Sequence, residues 1–119
     1  RITTVYAQPG DVLLRKGDPA RHVFFIASGA VEVAFAGQLQ KLGRGEIFGQ
    51  LGILTRRPRR ADAKAITHCT LLRLDEARFL DLLAKNEQLR LAVEDSTRRR
   101  KLLEGEAGTL PALGRAEKV

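Results

Sequence analysis

Residues 45–63 read GEIFGQLGILTRRPRRADA and combine two features that suit a bound phosphate. Gly49 and Gly52 bracket a segment that predicts the start of a single helical turn. A helix N-terminus presents unpaired N–H groups, and glycines let a ligand approach the backbone. Arginines follow within a few residues, and a guanidinium group matches phosphate oxygens at two points. Spacing alone leaves an ordinary reverse turn between two strands as an equal explanation of the glycines.

The positive charge is concentrated in the first part of the chain. The 119 residues carry 21 Lys and Arg against 14 Asp and Glu, a net charge of +7. All of this surplus falls in residues 1–74, because residues 75–119 hold 9 charges of each sign. Four of the cations crowd one short loop, which indicates an anionic partner: Arg56, Arg57, Arg59 and Arg60.

A small phosphate ligand fits one loop better than a nucleic acid does. Aromatic residues make up only 5% of the chain, too few for a base-stacking platform, and no duplex-reading element is evident. Four solvated surface arginines are the remaining explanation from charge alone.

Eight of the 11 glycines lie between Gly10 and Gly52, where they separate short segments of the chain. The segments between them are short and rich in Val, Ile, Phe and Leu, which is typical of strands separated by turns. Short strands at this spacing favour a small sandwich or barrel over a parallel sheet. The predicted strands are 12–14, 23–26, 31–35, 39–42, 61–66 and 70–74.

The hydrophobic periodicity changes at Asp75. Apolar residues then recur at i, i+3 and i+4 from Phe79 onward, behind an acidic start, which predicts a helix. Asn86 is expected to interrupt it. A second helix is predicted to run to about Leu103, with the glycine two residues later as its stop. Residues 105–119 lack periodicity and are expected to form a frayed tail.

Composition also excludes several classes of protein. Apolar residues make up 44% and charged residues 29%, as expected of a chain that folds in water. The longest apolar run, 23–27, is far below the roughly 20 residues of a membrane-spanning helix. The single Cys69 excludes an internal disulfide. Because no nucleophile motif or metal-ligand spacing is present, we expect no enzyme activity, no metal and no cofactor.

The turn glycines, the segment Phe48–Leu54 and the segment Pro58–Ala61 together resemble the cyclic nucleotide-binding domain family, from about Val5 to Leu83. The resemblance implies a mainly β fold with helices. It predicts an eight-stranded β-roll (a double-stranded β-helix of jelly-roll type) over residues 1–74, followed by two C-terminal helices over 75–103. These form one cyclic nucleotide-binding domain over 1–103, with a flexible C-terminal tail over 104–119. The family's N-terminal helix is expected to be missing or truncated.

The resemblance also implies the ligand contacts. The family's phosphate-binding arginine matches Arg59, and its phosphate-binding amides match 49–52. Gln50 stands where the family usually has a glutamate that accepts the ribose 2′-hydroxyl proton, so its bond is expected to be weaker by about 1 kcal/mol. Arg60 stands where the family commonly has Ala, Ser or Thr, and either points outward or adds a second cation. The implied set is Phe48, Gly49, Gln50, Leu51, Gly52, Arg59, Arg60 and Ala61.

Four further residues are candidates for the base pocket or a lid: Val33, Phe35, Ile53 and Glu94. Core packing explains Val33 and Phe35 at least as well. An exposed i, i+4 ion pair with Arg98 is the commoner explanation of Glu94. The last helix is expected to pack on Ile53 and Leu54 through Leu89, Ala92 and Val93.

The function implied by the resemblance is regulatory. A cyclic nucleotide, cAMP or cGMP, is the expected ligand, and a movement of the last helix is the expected output. The chain opens at Arg1 and contains no Met, so we expect a piece of a longer parent. An ion channel or cation transporter, and with it a membrane-embedded parent, is preferred by analogy alone. Kinase and transcription regulators remain alternatives.

The domain is expected to be cytosolic, with a homo-oligomer forming through the parent and no nucleic-acid partner. Two hypotheses compete with a nucleotide sensor. One is a degenerate module of the same fold that has lost binding and serves in assembly or docking. The other is a nucleic-acid binder that uses the arginine cluster.

Overall fold

The computed structural model describes residues 2–108, and the side chains of residues 2–98. These residues form eight strands and three helices. The strands are β1 (Ile2–Ala7), β2 (Val12–Leu14), β3 (His22–Ser28), β4 (Val31–Phe35), β5 (Gln38–Leu42), β6 (Ile47–Phe48), β7 (Asp62–Ala65) and β8 (Cys69–Asp75). Helix α1 (Gln50–Thr55) connects β6 to β7, and helices α2 (Glu76–Lys85) and α3 (Glu87–Gly108) follow β8.

The strands form two antiparallel sheets of four strands each. The first has the order β1-β8-β3-β6 and the second the order β2-β7-β4-β5. Most connections carry the chain from one sheet to the other, which is the topology of a jelly roll. The predicted mainly β fold, an eight-stranded roll followed by C-terminal helices, is therefore confirmed.

The main core lies between the two sheets, because each strand alternates its side chains between two faces. On β3, Phe24 and Ile26 point into this core. The ring of Phe24 stacks on the ring of Phe48, with centroids 5.0 Å apart and planes 7° apart. Val31 and Val33 of β4 close the core from the second sheet. Each such side chain contributes about 1.5–3 kcal/mol through burial.

A second apolar cluster joins the outer face of the first sheet to the helices. Val23 and Leu74 from the sheet meet Ile53 of α1, Phe79 of α2 and Val93 of α3. This cluster holds the helices beside the segment 49–55, which matters for the candidate site.

The starts of the two long helices are capped by side chains. The Asp75 carboxylate accepts a hydrogen bond from the Arg78 N–H at 2.8 Å, and this bond lowers the pKa of Asp75. Asn86 separates α2 from α3, as predicted, and its Oδ1 accepts a hydrogen bond from the Leu89 N–H at 2.9 Å. Both contacts satisfy helix N–H groups that lack a partner within the helix.

Three elements differ from the pattern-based prediction. The sequences of β1 and β6 show no clear alternation of apolar and polar residues. In β1 the apolar Ile2 and Tyr6 are exposed together with Thr4, and β6 has only two residues. Helix α3 continues to Gly108, so the prediction of a stop near Leu103 and of a tail from residue 104 is wrong for residues 104–108. A glycine inside a helix costs only about 1 kcal/mol relative to alanine, which a long helix tolerates. The rest of the predicted tail lies outside the described residues.

Replacing Phe79 should reveal how strongly the second cluster stabilises the fold. Phe79 is 0% exposed, so Phe79→Ala should lower the free energy of unfolding by about 3–5 kcal/mol, measured by urea denaturation. The neighbouring Leu80 on the same helix is 39% exposed, and Leu80→Ala is the matched control with a much smaller loss. Equal losses for the two variants would contradict the described packing of α2.

Candidate functional site

A cavity enclosing about 480 Å³, including its open mouth, lies next to the inter-sheet core and α1. The lining is apolar apart from one threonine and two arginines, and comes from β2, β4, β6, α1 and the segment before β7. The lining residues are Leu14, Val33, Phe48, Gly49, Leu51, Gly52, Thr55, Arg59, Arg60 and Ala61.

Helix α1 forms one wall of the cavity and is the single helical turn that the glycines predicted. Gly49 precedes it with φ of 92°, a left-handed conformation that favours glycine. Gly52 lies against the loop between β2 and β3, since a Cβ at this position would lie 2.7 Å from the Ala20 Cβ. Glycine at 52 therefore lets α1 approach that loop closely.

The Arg59 guanidinium joins two elements at the cavity wall. Its Nη1 donates to the Gly49 carbonyl oxygen and its Nη2 to the His22 carbonyl oxygen, both at 2.6 Å. A guanidinium carries five N–H donors, so these bonds leave donors for a ligand. The Arg59 main chain is held as well, because its N–H donates to the Asp18 carbonyl at 2.8 Å and its carbonyl accepts from the Gly17 N–H at 2.8 Å.

Arg59 is a buried charge without a carboxylate contact. Arg59 is only 7% exposed. None of the ion pairs found among the described residues includes Arg59. Burial lowers the pKa of Arg59, and the more distant charge of Asp18 opposes this shift. An arginine nevertheless stays protonated in proteins. A buried cation is costly to desolvate, and an anion beside it would offset that cost.

Two neighbouring side chains, Arg60 and His22, bear on the charge of the site. The Arg60 guanidinium carbon lies 5.2 Å from the centre of the Phe35 ring, a cation–π contact at the cavity lining. Arg60 is thus a lining residue of the cavity, with its guanidinium packed on the Phe35 ring. Burial, followed by the charges of Arg73 and Arg59, lowers the pKa of His22. The imidazole of His22 is thus predominantly neutral at neutral pH.

The Gln50 side chain lies outside the cavity, contrary to the prediction from the sequence. The expected contact with a ribose requires its side chain in the cavity, but Gln50 is absent from the lining and is 0% exposed. Its Nε2 instead donates to the Thr97 hydroxyl at 3.1 Å and approaches the Ser96 hydroxyl at 3.4 Å. These partners come from α3, far along the chain, and no local spacing predicts them.

The structure brings together most of the other predicted residues. Seven of the eight implied ligand contacts line the cavity, and Val33 lines it as well. Phe35 contacts the Arg60 guanidinium with its ring and is not itself a lining residue. Ile53 packs in the second apolar cluster rather than in the cavity. Glu94 is exposed on α3, outside the lining, so the structure does not support it as a contact to a base.

Sequence reasoning missed two lining residues, Leu14 and Thr55. In the sequence, Leu14 is one of several apolar residues in a short strand and Thr55 is the residue before the arginines. Neither position carries a signal that indicates a cavity. The predicted packing of α3 on α1 is confirmed for Leu89 and Val93, which join the cluster of Ile53. It is wrong for Ala92 and Leu54, which are both exposed. On the same helix, Asp95 forms an ion pair with Arg98 at 3.0 Å.

Other chemical groups in the described residues stand apart from the cavity. Among residues 2–98, whose side chains are described, no cluster of three His, Cys, Asp or Glu side chains is suited to a metal ion. Cys69 is buried in β8, where its thiol donates to the Ala30 carbonyl at 3.2 Å. None of the helices described is both long and apolar enough to cross a membrane.

The chain belongs to the cyclic nucleotide-binding domain family, whose model matches residues 4–86. A putative potassium channel protein of Rhodopseudomonas palustris is 37% identical over 84 residues, which cover 67% of this chain and 20% of that protein. The potassium/sodium hyperpolarization-activated cyclic nucleotide-gated channel 2 of Mus musculus is 36% identical over 88 residues, 73% of this chain and 10% of the channel. The chain therefore spans a fifth or less of the length of these relatives.

Solved structures support the fold. A cAMP-bound PfPKA-R superposes with a TM-score of 0.78 at 21% identity, over 94% of this chain and 39% of that one. A PKAR CBD2 bound to Sp-2Cl-cAMPS gives a TM-score of 0.75 at 22% identity, over 94% and 76%. The regulatory subunit of a cAMP-independent protein kinase A from Trypanosoma brucei gives 0.69 at 23% identity, over 79% and 37%.

The close approach of α1 to the β2–β3 loop can be tested with two glycines. Gly52→Ala should lower the free energy of unfolding, because an overpacking cost of about 1–3 kcal/mol exceeds the roughly 1 kcal/mol that alanine contributes in a helix. Gly43→Ala is the matched control, since a Cβ at 43 meets nothing within 4 Å. Chemical denaturation measures both. Unchanged stability in Gly52→Ala would contradict the tight contact with Ala20.

Proposed function

We propose that this chain is a regulatory domain that binds cAMP or cGMP. A movement of α3 on binding would transmit the signal to a larger parent protein. The observation that carries the proposal is the buried guanidinium of Arg59 at the wall of a mainly apolar cavity. A ring-closed monophosphate has one negative charge to pair with that cation, and it has a nucleoside portion to cover the apolar lining.

Each part of such a ligand has a matching surface. The phosphate would meet the outward donors of Arg59 and main-chain groups at the start of α1, because Gly49, Leu51 and Gly52 line the same wall. Leu14 and Val33 offer apolar contacts for the base. The ribose would depend on Gln50, whose amide oxygen must first leave its buried position.

Helix α3 is the proposed output of the domain. It contacts α1 through Val93 and Ile53, so an altered position of α1 changes the surface on which α3 packs. A ligand biases that equilibrium only through its different affinities for the two arrangements. A channel or transporter of cations is the proposed parent, with this domain on the cytosolic side. The support is similarity to two channels in which the matched segment is a small part.

One observation favours a second candidate, a module of the same fold that binds no nucleotide and serves in assembly. Gln50 replaces the expected carboxylate and is buried under α3 instead of facing the cavity. A domain of similar fold comes from a kinase subunit that is described as cAMP-independent. This candidate predicts no response to either nucleotide.

Calorimetric titration of the 119-residue chain with cAMP and cGMP separates the two candidates. The proposal predicts saturable binding and a higher melting temperature, with about 2.7 kcal/mol of added stability at a ligand concentration of 100 Kd. Arg59→Lys keeps the charge but loses the planar fork, so its Kd should rise at least about 10-fold. Arg57→Lys is the matched control, since Arg57 is exposed and lies outside the cavity lining.

Two results would contradict the proposal. The first is an absence of heat and of any melting shift with both nucleotides, which favours the assembly module. The second is equal binding by wild type and Arg59→Lys, which would place the nucleotide elsewhere on the domain. Retention on DNA at low salt without any nucleotide response would instead favour the nucleic-acid hypothesis.

A further inference from the structure

A second cavity lies against another face of α1. It encloses about 720 Å³, including its wide mouth, and Gly52 lines both cavities. Leu51 and Thr55 line the first cavity, whereas Ile53 and Arg56 line the second, which matches the spacing of helical faces. The other walls come from the β2–β3 loop, the segment directly after α1 and the start of α2. We refer to this second cavity as the basic groove.

Main-chain hydrogen bonds hold the walls of the basic groove together. The Gly17 N–H donates to the Arg59 carbonyl oxygen and the Arg59 N–H donates to the Asp18 carbonyl oxygen, both at 2.8 Å. The Glu76 N–H donates to the Arg21 carbonyl oxygen at 3.1 Å, which fixes the start of α2 to the same loop. Two prolines line the groove, and their rings restrict the backbone. A partner would therefore meet a surface that is already formed, which lowers the entropy cost of binding.

The charge around the basic groove is mainly positive. Residues 15–21 and 55–60 hold seven of the 21 Lys and Arg but only one of the 14 Asp and Glu. Arg56 and Arg57 line the groove and are both exposed. Among the residues whose side chains are described, no ion pair includes either arginine. Two such guanidinium groups in a concave surface focus a positive potential on whatever enters it.

Arg56 has a backbone conformation that does not favour arginine. Its φ of 57° and ψ of 42° are left-handed, and glycine or asparagine is the usual residue at such a helix end. The Arg56 N–H donates to the Ile53 carbonyl oxygen at 3.3 Å, and the Arg57 N–H donates to the Gly52 carbonyl oxygen at 3.2 Å. Glycine would make the same main-chain bond at position 56, so these bonds do not account for an arginine there. What the arginine adds is a cation in the lining of the groove.

One carboxylate interrupts the positive lining. Glu76, in the first turn of α2, lines the same groove. A nucleic acid carries a phosphate at every nucleotide, so its backbone would meet this carboxylate with a like charge. A peptide can instead place carboxylates against Arg56 and Arg57 and a lysine against Glu76.

A second copy of this chain is a poorer match than a different protein. On α2 and α3, the carboxylates of Asp81, Glu87 and Asp95 already form ion pairs with cations of their own helices. Such carboxylates would have to leave these partners before they could reach the groove of another copy.

We propose that the basic groove is a docking site for an acidic segment of a partner protein, in which two carboxylates are followed by a cation. The carboxylates pair with Arg56 and Arg57, and the cation pairs with Glu76. This site is independent of nucleotide binding, because none of these three residues lines the first cavity.

Two synthetic peptides of equal length probe the groove without any nucleotide. One carries a pair of glutamates among alanines and serines, and the other carries the same pair followed by a lysine. Titrations followed in ¹H–¹⁵N spectra of the 119-residue chain measure the Kd and show which main-chain amides respond. The proposal predicts shifts in residues 17–20 and 53–57, and a Kd that rises with salt.

Reversing the two arginine charges tests where the peptides bind. In Arg56→Glu/Arg57→Glu the Kd of both peptides should rise at least about 10-fold, because two attractive contacts become repulsive. Arg44→Glu/Lys64→Glu is the matched control, since it makes the same change in net charge at two exposed positions outside the groove. At physiological salt this control should change the Kd less than about 2-fold.

Glu76→Gln tests the charge pattern, because glutamine keeps the shape of the side chain and removes its charge. The Kd of the peptide without lysine should fall about 2- to 5-fold, since a repulsion is lost. The Kd of the peptide with lysine should rise by a similar factor, since an attraction is lost. The two peptides therefore respond in opposite directions.

Four results would overturn the proposal. One is a titration in which neither peptide shifts the amides of the groove, and another is an equal rise of the Kd in both charge-reversal variants. The third is a DNA duplex whose affinity falls more than that of the peptides in Arg56→Glu/Arg57→Glu, which assigns the groove to nucleic acid. The fourth is wild-type self-association, measured by sedimentation, that is lost in the same variant, which assigns the groove to a second copy. A response of both peptides to Glu76→Gln in the same direction overturns the proposed order of charges.

Discussion

The site depends on one charged group held by neutral main-chain atoms. The Arg59 guanidinium donates to the carbonyl oxygens of Gly49 and His22, both 2.6 Å away, and so fixes the start of α1 against the start of β3. Carbonyl groups orient the cation without neutralising it. The charge is therefore buried, positioned and still available to an anion, which a salt bridge to a carboxylate would prevent.

Helix α1 links the cavity to the rest of the domain because its six residues face two environments. Leu51, Gly52 and Thr55 line the cavity, whereas Gln50 and Ile53 contact the cluster formed with α3. A turn this short cannot change one face without displacing the other. A change at the cavity wall would therefore have a physical route to α3 through a few well-packed contacts.

Local signals in the sequence predicted most of the fold and much of the cavity. Glycines and alternating apolar residues marked six strands, and the family resemblance supplied Arg59 and the segment around α1. Two features were out of reach. The position of the Gln50 side chain depends on hydroxyl groups of residues that lie 46 and 47 positions later in the chain. The segment β1 forms a strand chiefly because it pairs with β8, the last strand in the sequence. Such long-range partners leave no trace in local spacing.

The most direct test of the account is the structure of this chain crystallised with cAMP or cGMP. The account predicts a phosphate oxygen within about 2.7–3.2 Å of the Arg59 guanidinium, inside the cavity bounded by α1. It would be contradicted by a nucleotide bound elsewhere on the domain, or by an Arg59 side chain that keeps only its two carbonyl partners while the nucleotide is bound.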